Sequence, residues 1–110
     1  MEVSIETKDK ILTLFLQGEI DHHTEARIRQ KADAAIENNK PETLIMDFFK
    51  VSFMYSSAVG LIMGRYRILN TWGGKIEVVN LSEQNYKMMK IAGMLKLCSL
   101  RKRDKNEENK

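Results

Sequence analysis

Polar and apolar positions alternate from the start of the chain. Val3, Ile5 and Thr7 interleave with Ser4, Glu6 and Lys8, the period of a half-buried strand. After a short turn at Asp9-Lys10, Ile11-Leu-Thr-Leu-Phe-Leu16 predicts a second strand, antiparallel to the first and covered on both faces for part of its length. Gly18-Glu-Ile-Asp21 reads as a loop into a helix that runs to about Asn39, capped by Asp21 or Thr24. Its stripe is Ile28, Ala32, Ala35 and Ile36, with Arg27, Arg29, Lys31 and Glu37 toward water. Pro41 follows the helix, and Thr43-Leu-Ile-Met-Asp-Phe-Phe49 predicts a parallel strand covered on both sides.

A second helical stripe comprises Ala58, Val59, Ile62, Tyr66 and Leu69 and ends near Thr71-Trp-Gly-Gly74, where glycine suits a left-handed cap. Lys75–Val79 is another strand. Asn80 and Ser82 punctuate, a short helix carries Tyr86, Met89 and Ile91 to Gly93, and 95–100 reads as a last short strand. The order β-β-α-β-α-β-α-β predicts an α/β domain with a mixed, mostly parallel sheet of about five strands, residues 1–100, and a charged tail, residues 101–110. In such sheets, partners gather at the carboxyl ends of strands. The Gly18–Thr24 and Met54–Ser57 segments lie at such ends and form one working face if their strands are neighbours.

Ser56 and Ser57 fall where the second helix begins. A serine there either caps the helix or offers a hydroxyl that a phosphate can occupy, because unpaired N–H groups and the helix dipole favour an anion. Composition narrows the rest. With 110 residues, 43% hydrophobic and 30% charged, the chain fits one globular domain. No apolar run reaches the ~20 residues that cross a bilayer, and no secretory signal opens the sequence, so a cytoplasmic location is expected. The net charge of +3 owes much to Arg101-Lys-Arg103 and nearby lysines. Without interleaved aromatics this reads as a solvated end, and no nucleic-acid or membrane partner is expected.

Catalytic motifs are missing: no nucleophile elbow, no P-loop and no dinucleotide fingerprint. The adjacent His22 and His23 are poor joint metal ligands, the lone Cys98 on a strand reads as packing, and Asp21 with Asp47 supports nothing specific. The seven methionines read mainly as core filling. The chain reads as a binding protein, not an enzyme, with no cofactor or metal.

Two separated motifs carry a family likeness: Gly18-Glu-Ile-Asp-His-His-Thr24, and Phe53-Met-Tyr-Ser-Ser-Ala-Val-Gly60 with Gly64-Arg-Tyr66. Over nearly all of the chain to about Leu100, it resembles the anti-sigma-factor antagonists of the STAS class, above all those of the sporulation sigma-F pathway. The resemblance implies a cytoplasmic protein that binds an anti-sigma factor, itself a serine kinase, while unphosphorylated. It is released when a helix-start serine is phosphorylated and reset by a phosphatase, so regulating sigma-dependent transcription. It implies Ser57 as phosphoacceptor with Ser56 beside it, Asp21 as helper of the kinase reaction, and a partner surface of Asp21, His23, Thr24, Tyr55, Ser56, Ser57, Ala58, Gly60 and Gly64. Tyr55 stands where the family motif has aspartate, and 101–110 is polar where the family usually ends in an apolar helix. The alternatives are a STAS scaffold module in a stress-signalling or lipid-transport assembly that is not phosphorylated, and a nucleotide-binding domain using the helix mouth.

Overall fold

The computed structural model describes residues 2–104. The strands are β1 (Val3–Lys8), β2 (Ile11–Ile20), β3 (Thr43–Met54), β4 (Lys75–Leu81) and β5 (Ser99–Lys102). The helices are α1 (His22–Asn39), α2 (Ser57–Asn70) and α3 (Glu83–Ile91), with a 3-10 turn at Met94–Lys96. One sheet forms in the order β1-β2-β3-β4-β5, with β1 antiparallel to β2 and every later pair parallel. The predicted order of elements and the mixed sheet are what is observed.

Every parallel crossover steps in the same direction across the sheet. Right-handed connections that never reverse direction put all their helices on one face. The strands show the result: Leu12, Leu14, Leu16, Leu44, Met46, Phe48, Ile76 and Val78 are buried, while Ile11, Phe15 and Phe49 between them are exposed. The expectation that β2 and the strand at 43–49 are covered on both sides is therefore corrected. Among the described residues no helical layer lies above their outer side chains.

Further corrections are local. Gly18-Glu-Ile20 belongs to β2 rather than to a loop, because β3 continues to Met54 and supplies a ladder partner as far as Ile20. The segment 95–100 is not one strand: Met94–Lys96 winds into the 3-10 turn after Gly93 at φ 82, Cys98 lies in the bend that follows, and β5 starts at Ser99. That strand takes in Arg101 and Lys102, while 105–110 of the expected tail lies outside the described residues. Ile91 is 87% exposed, since it ends α3 on the side away from Met89. In α2 the buried stripe is Ala58, Leu61, Ile62, Arg65 and Leu69, with Val59 and Tyr66 half-buried beside it.

The cation in that stripe is neutralised locally. Arg65 Nε lies 2.8 Å from Asp33 Oδ1 of α1, and Arg65 Nη1 donates to the carbonyl of Leu61 at 3.3 Å. The Nε contact lacks the alignment of a hydrogen bond and acts as a charge pair. Burial pushes the Arg65 pKa down and Asp33 opposes it. The pair ties α1 to α2, the two helices whose amino ends build the site.

Candidate functional site

β2 and β3 are neighbours, with Ile20 beside Met54, and the amide of Tyr55 donates to Ile20 O at 3.0 Å. This brings the two motif segments together at the carboxyl ends of their strands, as the sequence implied. Asp21, His22, Tyr55, Ser56 and Ser57 line one open recess of about 490 Å³.

Asp21 is the amino cap of α1. Its Oδ1 accepts from the amides of His23 and Thr24, both at 2.9 Å. Thr24 Oγ1 accepts in return from the Asp21 amide at 2.8 Å and donates to Glu19 O at 2.9 Å, which closes a capping box. These bonds, the one from the Thr24 amide foremost, hold the Asp21 carboxyl below its ordinary range. Asp21 and Thr24 thus first define where α1 begins, and only then stand beside the serines.

The serines do not cap α2. Ser56 occupies the cap position in a helical conformation, φ −59 and ψ −20, and its hydroxyl makes no capping bond. A cap residue needs extended backbone to swing its oxygen over the first turn, so the capping reading is corrected. The amides of Ala58 and Val59 instead bond back to Tyr55 O and Ser56 O, both at 3.0 Å, in a tight first turn. The two hydroxyls then differ. Ser57 is half-buried and its Oγ donates to Ile20 O at 3.3 Å; Ser56 is exposed, and its hydroxyl has no bond among the described residues.

The other expected contact residues separate as follows. Ala58 is fully buried and offers no surface, which corrects its place among the partner-binding residues: it sits on the face of α2 that packs on the sheet. His22, rather than His23, lines the recess, although both are exposed. Gly60 and Gly64 are one turn apart on α2, and a Cβ at either would meet open space, so nothing among the described residues requires glycine there. Tyr55 is 48% exposed and Phe53 is 42% exposed, their rings packed edge to face at 4.9 Å. The sequence did not single out Phe53 as a surface residue. The β2–β3 register, which pairs it with Glu19 on the outer face, decides that.

A second recess, about 450 Å³, opens on the outer sheet face among Phe15, Asp47, Phe49, Lys50 and Asn80. There Asp47 Oδ1 accepts from the Phe49 amide at 2.9 Å and from Asn80 Nδ2 at 3.1 Å, and Asp47 does not meet Asp21. Among the described residues no group of His, Cys, Asp and Glu could hold a metal ion, and no helix is long and apolar enough to cross a membrane.

The STAS domain family matches residues 2–107, and the chain belongs to that family. Within it, the chain is similar to proteins named as anti-sigma F factor antagonists. It is 38% identical over 84 residues to the one from Lysinibacillus sphaericus, covering 76% of this chain and 70% of the relative. It is 29% identical over 100 residues to the one from Paenibacillus polymyxa, covering 91% and 86%. Among solved structures it is similar to the anti-sigma factor antagonist SpoIIAA in its unphosphorylated form, with TM-score 0.80, 30% identity and 97% and 92% of the two chains covered. Its similarity to the Bacillus cell fate determinant SpoIIAA in the phosphorylated form has TM-score 0.73 at 30% identity, covering 97% and 96%.

Proposed function

We propose that this chain is an anti-sigma-factor antagonist. It binds an anti-sigma factor with serine kinase activity through the mouth of α2, and phosphorylation there releases it. Its work is binding, not catalysis, and is expected in the cytoplasm, with a phosphatase to reset it. The observation that carries the reading is a free, exposed hydroxyl at the start of α2, in one recess with the Asp21 loop. The relatives' names agree with it, as does the existence of a phosphorylated form of a structure 30% identical to this chain.

Geometry favours Ser56 as the acceptor. Phosphorylating Ser57, the position that the motif comparison pointed to, would first require its hydroxyl to leave Ile20 O. A phosphoserine adds about −1.5 to −2 charges at neutral pH. The positive end of the α2 dipole and the water at its open mouth tolerate this in the free domain, whereas a docked partner would bury it. Burying an unpaired charge costs several kcal/mol, and a hundredfold loss of affinity needs only about 2.8 kcal/mol. The switch therefore needs no refolding.

The test uses the anti-sigma F factor of L. sphaericus with ATP, with intact-mass and peptide mass spectrometry as the readout. One phosphate is expected on the parent and on Ser57→Ala, and none on Ser56→Ala. Labelling that survives Ser56→Ala but not Ser57→Ala moves the acceptor to Ser57. A parent that neither binds nor is labelled overturns the function.

A further inference from the structure

Tyr55 is not needed by the fold in the way its neighbours are. Met54 before it is buried, and Ala58 beyond it is fully buried, yet the Tyr55 ring stands out from the end of β3. It is nevertheless held in place. The Tyr55 amide is fixed to Ile20 O, and the ring rests edge to face on Phe53, two residues earlier on the same side of the strand. Two aromatic side chains with few rotatable bonds, already packed on one another, lose little conformational freedom when a partner covers them. Clusters of exposed aromatics are also what distinguishes the centres of protein interfaces from ordinary surface.

Position decides what covers them. Tyr55 is one of the five residues lining the recess that holds Ser56 and Ser57. A protein that closes on the Ser56 hydroxyl therefore has the Tyr55 ring beside it in the same recess. On the other side Phe53 runs alongside Glu19 on the outer sheet face, so the contact continues from the helix mouth onto the sheet. We propose that Phe53 and Tyr55 form the anchor by which the anti-sigma partner holds this chain. The pair seats in an apolar cleft of that partner, which closes over both rings and supplies an acceptor for the Tyr55 hydroxyl. This rests on the function proposed above and adds to it the side chains that hold the partner.

The experiment measures calorimetric affinity of the parent, Phe53→Ala, Tyr55→Ala and Tyr55→Phe for the L. sphaericus anti-sigma F factor, with Ile91→Ser on α3 as control. Melting temperatures show which variants are folded. Tyr55→Ala and Phe53→Ala are expected to weaken binding at least tenfold, Tyr55→Phe severalfold through loss of the hydroxyl, and Ile91→Ser not at all. Folded Phe53→Ala and Tyr55→Ala proteins that bind like the parent, while phosphorylation still releases the parent, overturn the anchor and leave the proposed function standing. Should Phe53→Ala not fold, Tyr55→Phe and Tyr55→Ala decide the matter alone. A parent that does not bind overturns both readings together.

Discussion

The Asp33–Arg65 pair gives an asymmetric test of how α1 is held on α2. In Asp33→Ala a guanidinium 6% exposed at the side chain loses its ion-pair partner and keeps the hydrogen bond to the Leu61 carbonyl and the more distant charge of Glu25. At 2.8 Å the lost attraction is roughly 6 kcal/mol at an effective dielectric of about 20. Because the Asp33 side chain is 41% exposed, water screens the pair and can follow into the gap, which brings the net loss to about 2 kcal/mol. In Arg65→Met the buried charge disappears, an apolar chain of similar length fills the stripe, and Asp33 is left to water. That change is expected to stay within about 1 kcal/mol of the parent. Urea unfolding followed by the single Trp72, whose Nε1 donates to Pro41 O at 2.8 Å, reads both. With a slope of about 2 kcal/mol per molar urea, Asp33→Ala should move the midpoint down by roughly 1 M. A midpoint for Arg65→Met as low as that of Asp33→Ala, or lower, would refute the reasoning.

Other consequences are quicker to check. Burial pushes the Cys98 thiol up to about 11, so its alkylation by iodoacetamide should stay slow at pH 8 and accelerate only as pH approaches 11. Rapid modification at pH 8 of the folded protein would contradict that burial. Asp21 has a folded pKa below its ordinary value, so its contribution to stability is complete above about pH 4 and is lost as pH falls through the folded value. Asp21→Ala should therefore melt lower than the parent at pH 7, with the gap closing in acid; a gap that persists unchanged at pH 2 would speak against the cap. Gly73 sits at φ 76 after α2, so Gly73→Ala is expected to lower stability by about 1 kcal/mol in the same urea assay. No loss would mean that the turn relaxes freely.

The element order was legible because each helix and strand carries its own period. The single helical layer was less so. The apolar runs at 11–16 and 43–49 look like doubly covered strands, and only the unreversed direction of the crossovers shows that one face stays open. Arg65 reads as a solvent residue from its type, and its burial depends on Asp33 arriving from another helix. The site was legible as a place: two short motifs, joined because β2 and β3 are neighbours. Its chemistry was not. Which serine is free depends on Ile20 O, 37 residues away in sequence, and the exposure of Phe53 depends on strand register.

The most direct measurement titrates the L. sphaericus anti-sigma F factor with this chain in two forms, one unmodified and one carrying phosphate on Ser56. At least a hundredfold weaker binding of the phosphorylated form, with its melting temperature nearly unchanged, is the predicted result. Equal affinity of the two forms would contradict the account.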